Sequence, residues 1–326
     1  MSLLNDTKQE LLENKISSPC CKRAFLAGVI RGAGSLSLEP EGFGLILQHP
    51  VPELIEKCAV LVKKLTGVQP EISKKEKDRI LGNKIVYEMK LDAATTRVVL
   101  TSAGIVDSPY SVLHQLPEEI VGKPCCLRSF LQGLFLAAGS LSLPESGGDG
   151  SVKTSKGYHL EFTLTDRDIA EQVKDLLIGL NINAKLRERK TTYAVYVKNG
   201  NEISDFFAEM KAMKAYFAIV NTIIGRLARN SANRQANCIV ANADRAVETA
   251  TKHIAAIRKI DRAIGLNNLD ETLRETARYR LEHPDLSVAE LLRIMPNPPS
   301  KSGLNHRLRK LLEIAEQFKE TEPSKH

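Results

Sequence analysis

Apolar and polar residues alternate most clearly at Tyr158–Thr165. Leu160, Phe162 and Leu164 take one side there, and His159, Glu161 and Thr163 the other. Period-two alternation predicts a half-buried strand. Helical spacing follows over Asp166–Leu180, then a basic strand, Ala184–Lys190, a strand, Thr192–Lys198, and a helix, Glu202–Lys211. The first third of the chain repeats this succession. Strands are predicted at Ser35–Leu38, Phe43–Gln48 and Ile85–Leu91, helices at Val51–Leu65 and Asp92–Ala103, and a basic segment at Glu71–Lys84. Pro144–Gly157 is Gly/Ser-rich and reads as a mobile loop.

The two successions share an internal repeat. Residues 20–38 read CCKRAFLAGVIRGAGSLSL and residues 125–143 read CCLRSFLQGLFLAAGSLSL, with 12 of 19 positions identical at an offset of 105. Each copy heads a helix-strand-strand-helix-strand-strand-helix unit. Gly28 and Gly32, matched by Gly133 and Ala137, put small residues on one helix face. Two such faces allow two helices to meet backbone to backbone on a pseudo-two-fold axis. Phe25, Val29 and Ile30, with Phe130, Leu134 and Phe135, are then expected in the core.

The rest of the chain reads as helical. Ala212–Asn230 and Asn242–Ile264 carry helical spacing, and polar Asn230–Asn237 between them reads as a turn-like hinge. Asn268 is the expected cap of a helix running to about Glu282, with Leu269, Leu273, Ala277 and Leu281 as its core face. Ser287 and Glu290 form the pattern of a capping box. Pro296–Pro299 breaks the chain. A last helix follows, with Ser302 as its expected cap and Leu304, Leu308, Leu311, Leu312 and Ala315 inward. Asn305, His306, Arg309 and Lys310 project outward, with Arg307 nearby. A short capped helix, a turn and a basic helix follow helix-turn-helix logic. Arginine can read guanine and asparagine adenine, while Ser300, Lys301 and Ser302 sit where phosphate contacts belong.

Charge sharpens that reading. The 326 residues carry a net charge of +7. Residues 221–326 hold +5 of it, and 291–312 contain five cations and no acid. A local positive excess suits a phosphate backbone. The two basic hairpins offer secondary DNA contacts: Lys74, Lys75, Lys77, Arg79 and Lys84 in one, and Lys185, Arg187, Arg189 and Lys190 in the other. No apolar run reaches membrane-spanning length, and the polar N-terminus lacks a signal-peptide pattern. A cytoplasmic, nucleoid-associated protein is expected. The six cysteines include two adjacent pairs, Cys20-Cys21 and Cys125-Cys126, poorly spaced for zinc. They read as small buried hydrophobes at helix starts, with a redox role as the alternative. No metal and no cofactor are expected.

Leu26–Gly34 and Leu131–Gly139 resemble the nine-residue motif of the LAGLIDADG homing endonucleases. That resemblance implies a saddle of two αββαββα units whose sheets lie in the DNA major groove. In that family the motif's eighth residue is an acid that holds divalent metal. Here the eighth positions are Ala33 and Ala138, and an alanine side chain has no oxygen to ligate Mg²⁺. Glu39 and Glu145 lie past the next strand and should point away from the helix ends. No catalytic residue is therefore expected.

The motif-depleted pair, joined to Ser300–Leu311 (SKSGLNHRLRKL) and Asn233–Asn242 (NRQANCIVAN), is similar to the WhiA family of bacterial regulators over about residues 6–318. The implied fold class is α+β: two pseudo-symmetric αββαββα LAGLIDADG-like repeats, then an all-α helix-turn-helix domain. The expected divisions are an N-terminal helix (1–18), the LAGLIDADG-like domain (19–211, repeats about 19–105 and 124–211), a helical linker (212–264), the helix-turn-helix (265–318) and a tail (319–326). The resemblance implies a transcription factor that binds double-stranded DNA. It is tied to cell division and chromosome segregation and, in sporulating relatives, to sporulation. The alternatives are docking of a transcription or division partner protein, nonspecific chromosome binding in division, and an active homing endonuclease.

Overall fold

The structure, a computed structural model, describes residues 3–40, 42–77, 84–108, 111–144 and 157–318. Contacts divide the chain into two units, Met1–Leu227 and Ala228–His326, each with its own apolar core. Arg79, Glu145 and the tail from 319 lie outside the described residues, as does most of the loop Pro144–Gly157 and the side chain of Glu39.

The first unit opens with α1 (Leu3–Glu13) and then runs twice through one pattern. The first copy comprises α2 (Pro19–Ala33), β1 (Gly34–Glu39), β2 (Gly42–His49), α3 (Pro52–Thr66), β3 (Ile72–Lys77), β4 (Lys84–Leu91) and α4 (Ala93–Ser102). A small hairpin, β5 (Val106–Ser108) with β6 (Ser111–Val112), and the single turn α5 (Glu118–Val121) lead onward. The second copy comprises α6 (Pro124–Ala138), β7 (Gly139–Ser142), β8 (His159–Leu164), α7 (Arg167–Gly179), β9 (Lys185–Glu188), β10 (Tyr193–Val197) and α8 (Gly200–Glu209). The two antiparallel sheets have the same strand order, β1-β2-β4-β3 and β7-β8-β10-β9. Both copies thus form the αββαββα unit read from the sequence. The hairpin and α5 are too short to carry a periodic signal.

The two copies meet along α2 and α6. Each helix starts with proline at its first position, Pro19 and Pro124, where the missing N–H would have had no intrahelical partner. A Cβ on Gly28 would lie 2.1 Å from the Phe130 carbonyl oxygen, and one on Gly133 would lie 2.3 Å from that of Phe25. Backbone therefore touches backbone at both crossings. Phe25, Val29, Ile30, Phe130, Leu134 and Phe135 are all buried. Phe135 also packs edge-on against Phe162 and Phe207.

His49 ends β2 inside this unit, 7% exposed. Burial, aided by the nearby Lys8 charge, pushes its pKa down to about 4. The Val51 N–H donates to Nδ1 at 3.1 Å, a bond a protonated ring could not accept. The unfolded chain takes up this proton first, near the ordinary histidine value of 6.5, so acid favours unfolding. The stability this group contributes is present above that value and is lost as pH falls towards 4. Between pH 7 and pH 5 the loss should be about 2 kcal/mol. Urea denaturation at both pH values checks it: His49→Asn should flatten the difference.

A single 52-residue helix, α9 (Met213–Ile264), comes next. The turn-like hinge expected at Asn230–Asn237 is absent, because those residues are helical. Neither glycine nor proline occurs between Arg226 and Ile264. Each Asn or Ser costs a helix only some tenths of a kcal/mol, about 0.7 at most, and Ala232, Arg234, Gln235 and Ala236 favour it. Nor is the 212–264 segment a separate linker. Ala215 and Ile219 belong to the first core, Ala256, Ile257 and Ile260 to the second, and residues 227–245 are exposed throughout. Gly265, at φ 76°, stops the helix. A short 3-10 turn, Leu266–Asn268, precedes α10 (Glu271–Glu282), α11 (Val288–Ile294) and α12 (Lys301–Glu316). Asp270, not Asn268, caps α10, accepting from the N–H groups of Thr272 and Leu273. Asn268 lies in the preceding 3-10 turn and donates its amide to the Ile264 carbonyl, so the backbone path leaves the cap to Asp270.

Candidate nucleic-acid interface

α11 is held by the expected capping box: Glu290 N–H donates to the Ser287 hydroxyl, and Ser287 N–H to the Glu290 carboxylate. Both bonds fix where α11 begins. Ser300, rather than Ser302, caps α12: Gly303 N–H donates to its hydroxyl at 3.1 Å. Ser302 instead lies inside the first turn, its hydroxyl 3.0 Å from that of Ser300. Two serines two apart both carry the cap signal, and the extended backbone before Lys301 decides for the first.

Leu304, Leu308, Leu311 and Ala315 are buried beneath α12, and Leu312 packs beside them. The opposite face carries Lys301, Ser302, Asn305, His306, Arg309 and Lys310, all exposed. The helix thus lays its polar and basic residues along one solvent face, as the spacing predicts. Arg309 donates to His306 Nδ1 at 3.3 Å and lies 3.8 Å from the Glu313 carboxylate. Arg307 departs from the fan: it is half-buried, with Nη1 shielded and unpartnered. It lies between the inward and outward faces of the helix.

Arg280 leaves no trace of its role in the sequence. It is 1% exposed on α10. Its Nη1 donates to the carbonyls of Leu286 at 2.6 Å and His283 at 3.4 Å, tying down the loop that enters α11. Burial lowers its pKa and that of nearby His253. An arginine among the polar positions of α10 gives no signal of this in one dimension.

The sheets of the first unit present a different picture. Lys75 pairs across the sheet with Val86 and Lys74 with Tyr87, so these two cations lie on opposite faces. Lys75 is 2.5 Å from the buried Glu88 carboxylate, which also accepts from Gln48. Lys185 and Arg187 share one face, opposite Tyr196 and Ala194. Arg189 reaches that face too, and donates at 2.8 Å to the buried Glu161, which His159 also contacts at 3.0 Å. Despite the cost of burial, these contacts hold the Glu161 carboxyl below its usual range. Two of the expected secondary cations are therefore occupied by carboxylates.

Ala33 and Ala138 are the last residues of α2 and α6. A Cβ on Gly32 would meet the methyls of Ala137 and Ala138 at 2.9 and 3.0 Å, so apolar contact fills this end of the crossing. The cysteine pairs begin both helices as expected, and Cys21 and Cys126 are buried. Cys125, however, is exposed and Cys20 half-buried. The register of the crossing sets this, leaving the first residue of each pair at the rim while the second is covered.

Comparisons with known proteins cover nearly all of the chain. Residues 19–106 match the WhiA N-terminal LAGLIDADG-like domain, 127–229 the WhiA LAGLIDADG-like domain and 232–315 the WhiA C-terminal HTH domain. The chain is 33% identical over 320 residues to the probable cell division protein WhiA of Alkaliphilus metalliredigens, covering 97% of this chain and 98% of that one. It is 35% identical to the same-named protein of Heliobacterium modesticaldum, with 98% and 97% covered. The crystal structure of full-length DUF199/WhiA from Thermotoga maritima shares the fold, with a TM-score of 0.55 at 24% identity over 97% of this chain and 98% of that one. No helix among the described residues is long and apolar enough to cross a membrane.

Proposed function

The chain belongs to the WhiA family, and on that premise we propose that it is a sequence-specific DNA-binding transcriptional regulator of cell division. The observation that carries this is the exposed face of α12, where Asn305, Arg309, His306, Lys301 and Lys310 stand over a buried leucine row. Asn305 and Arg309 read bases, with Arg307 beside them. Lys301, Lys310, Ser300 and Ser302 hold phosphates. Its links to chromosome segregation and to sporulation in sporulating relatives, and its residence on the nucleoid in the cytoplasm, follow from this reading. So does a helix-turn-helix domain at 265–318, which packs on the last turns of α9 through Ala256, Ile257 and Ile260.

The protein is not a nuclease in this reading, because Ala33 and Ala138 supply no oxygen for metal. Glu88 and Glu161, which engage Lys75 and Arg189, favour a secondary role for the saddle. Lys74, Lys185 and Arg187 make at most phosphate contacts, and the saddle serves to dock a transcription or division partner protein.

Selection from random duplexes by the full-length protein, with Mg²⁺ at physiological salt, tests the proposal. Enrichment of one motif in uncut DNA supports it; metal-dependent cutting refutes it. On the selected site, Arg309→Ala should cost about 1–3 kcal/mol at one base position and relax the preference there. Lys301→Ala should weaken all sequences and reduce the salt slope by about one. Equal loss from Arg309→Ala on matched and mismatched duplexes would remove its base-reading role.

A further inference from the structure

Four thiols from the two repeats converge where α2 and α6 begin. The Sγ atoms of Cys20, Cys21, Cys125 and Cys126 all lie within 4.8 Å of one another. Cys125 and Cys126 are 4.0 Å apart at sulfur, and Cys21 Sγ lies 3.5 Å from the Cys125 carbonyl oxygen of the other copy. We infer that these four cysteines form a mononuclear tetrahedral metal site that takes a thiophilic divalent ion, with Zn²⁺ the best fit.

The dimensions carry the inference. A zinc–thiolate bond of about 2.3 Å sets the S···S edges of a tetrahedron near 3.8 Å. Sulfurs already within 4.8 Å of one another need only small side-chain rotations to reach those edges. An iron–sulfur cluster interposes several irons and sulfides between its cysteines, and so suits a wider set of ligands. The chemistry of the donors agrees, since four thiolates select zinc over the hard cations that bind carboxylates.

Charge is also provided for. Four thiolates around Zn²⁺ leave a net charge of −2. α2 and α6 are each 15 residues long, and the site lies in the first turn of both. There the free N–H groups and the positive ends of two helix dipoles favour an anion. Lys123, two residues before Cys125, adds a positive charge at the same helix start. Adjacent cysteines on one helix make a poor zinc site, but the pseudo-two-fold doubles the pair into four donors. This site lies at the opposite end of the helix pair from Ala33 and Ala138.

Loading is a proton exchange, with no oxidant involved: Zn²⁺ displaces four thiol protons to give one tetrathiolate complex and four H⁺. A disulfide between the same residues would need sulfurs at about 2.05 Å and the removal of two electrons. The metal would clasp the first turns of both repeats and stabilise the first unit by mass action.

Co²⁺ titration of the reduced, chelator-stripped full-length protein tests the site. One equivalent should bring up the intense visible bands of tetrahedral cobalt and a thiolate charge-transfer band. One equivalent of Zn²⁺ should abolish both and raise the melting temperature. Cys20→Ser with Cys126→Ser should lose the bands, and Cys238→Ser should keep them. Absence of tetrahedral bands in the reduced wild type, or undiminished bands in the double variant, would overturn the inference. Because the wild-type titration alone can refute it, the test survives a double variant that fails to fold.

Discussion

Gly28→Ala is expected to destabilise the first unit by more than about 3 kcal/mol, the upper range for overpacking a core. The new methyl carbon would sit 2.1 Å from the Phe130 carbonyl oxygen and 2.7 Å from the Leu134 nitrogen. Both are backbone atoms, so no side-chain rotation relieves the clash. α2 and α6 must separate, and every apolar contact between the repeats loosens with them. Gly133→Ala, at 2.3 Å from the Phe25 carbonyl, should behave alike. Gly32→Ala should be milder, since it meets only side-chain methyls at about 3 Å before the Ala138 nitrogen. Gly179→Ala, which meets nothing within 4 Å, should stabilise α7 by up to about 1 kcal/mol. Scanning calorimetry of the full chain checks the order. For a unit of this size the first substitution should lower its transition by about 6–12 °C. A Gly28→Ala protein that melts like wild type would show that the helices do not cross at this distance.

Arg280→Ala is expected to destabilise the second unit by about 4 kcal/mol. Two effects add. The substitution empties the space of one of the largest fully buried side chains. It also strips the carbonyls of Leu286 and His283 of their donor. The loop into α11 then loses its tie, and α12 loses its support. Melting of this unit should fall by more than about 15 °C, and specific DNA binding should fall with it, although Arg280 faces no solvent. Arg280→Met separates the effects, because it refills the volume and leaves the carbonyls unpaired. A smaller loss in the methionine variant supports the packing component. Unchanged melting in the alanine variant would exclude the clamp.

Much of this architecture is legible in the sequence because its signals are local or repeated. The strand at 158–165, the capping box at Ser287 and the leucine row of α12 each lie within a few residues. The repeat made the crossing of α2 and α6 legible too, since one motif read twice implies its own partner. Signals failed where the outcome depends on distant residues or on near-equal neighbours. Ser300 and Ser302, or Asn268 and Asp270, offer the same cap within two residues, and only the backbone path chooses between them. The polar run around Asn233 reads as a turn until one counts what it lacks, glycine and proline. The meeting of Cys20 with Cys126 and the burial of Arg280 are tertiary facts. Their one-dimensional traces are an unremarkable cysteine pair and an ordinary cation on a polar face.

The crossing of α2 and α6 also bears on how the two copies have diverged. A duplicated segment is usually free to drift once each copy has its own surroundings. Here each copy is the other's surroundings: a side chain gained at Gly28 collides with the second copy's backbone, and one gained at Gly133 collides with the first's. These two positions are glycine in both copies, whereas the second copy carries a methyl, that of Ala137, against Gly32. The duplication has thus made one half of the gene a standing constraint on the other, tightest where main chains touch and looser one helical turn away.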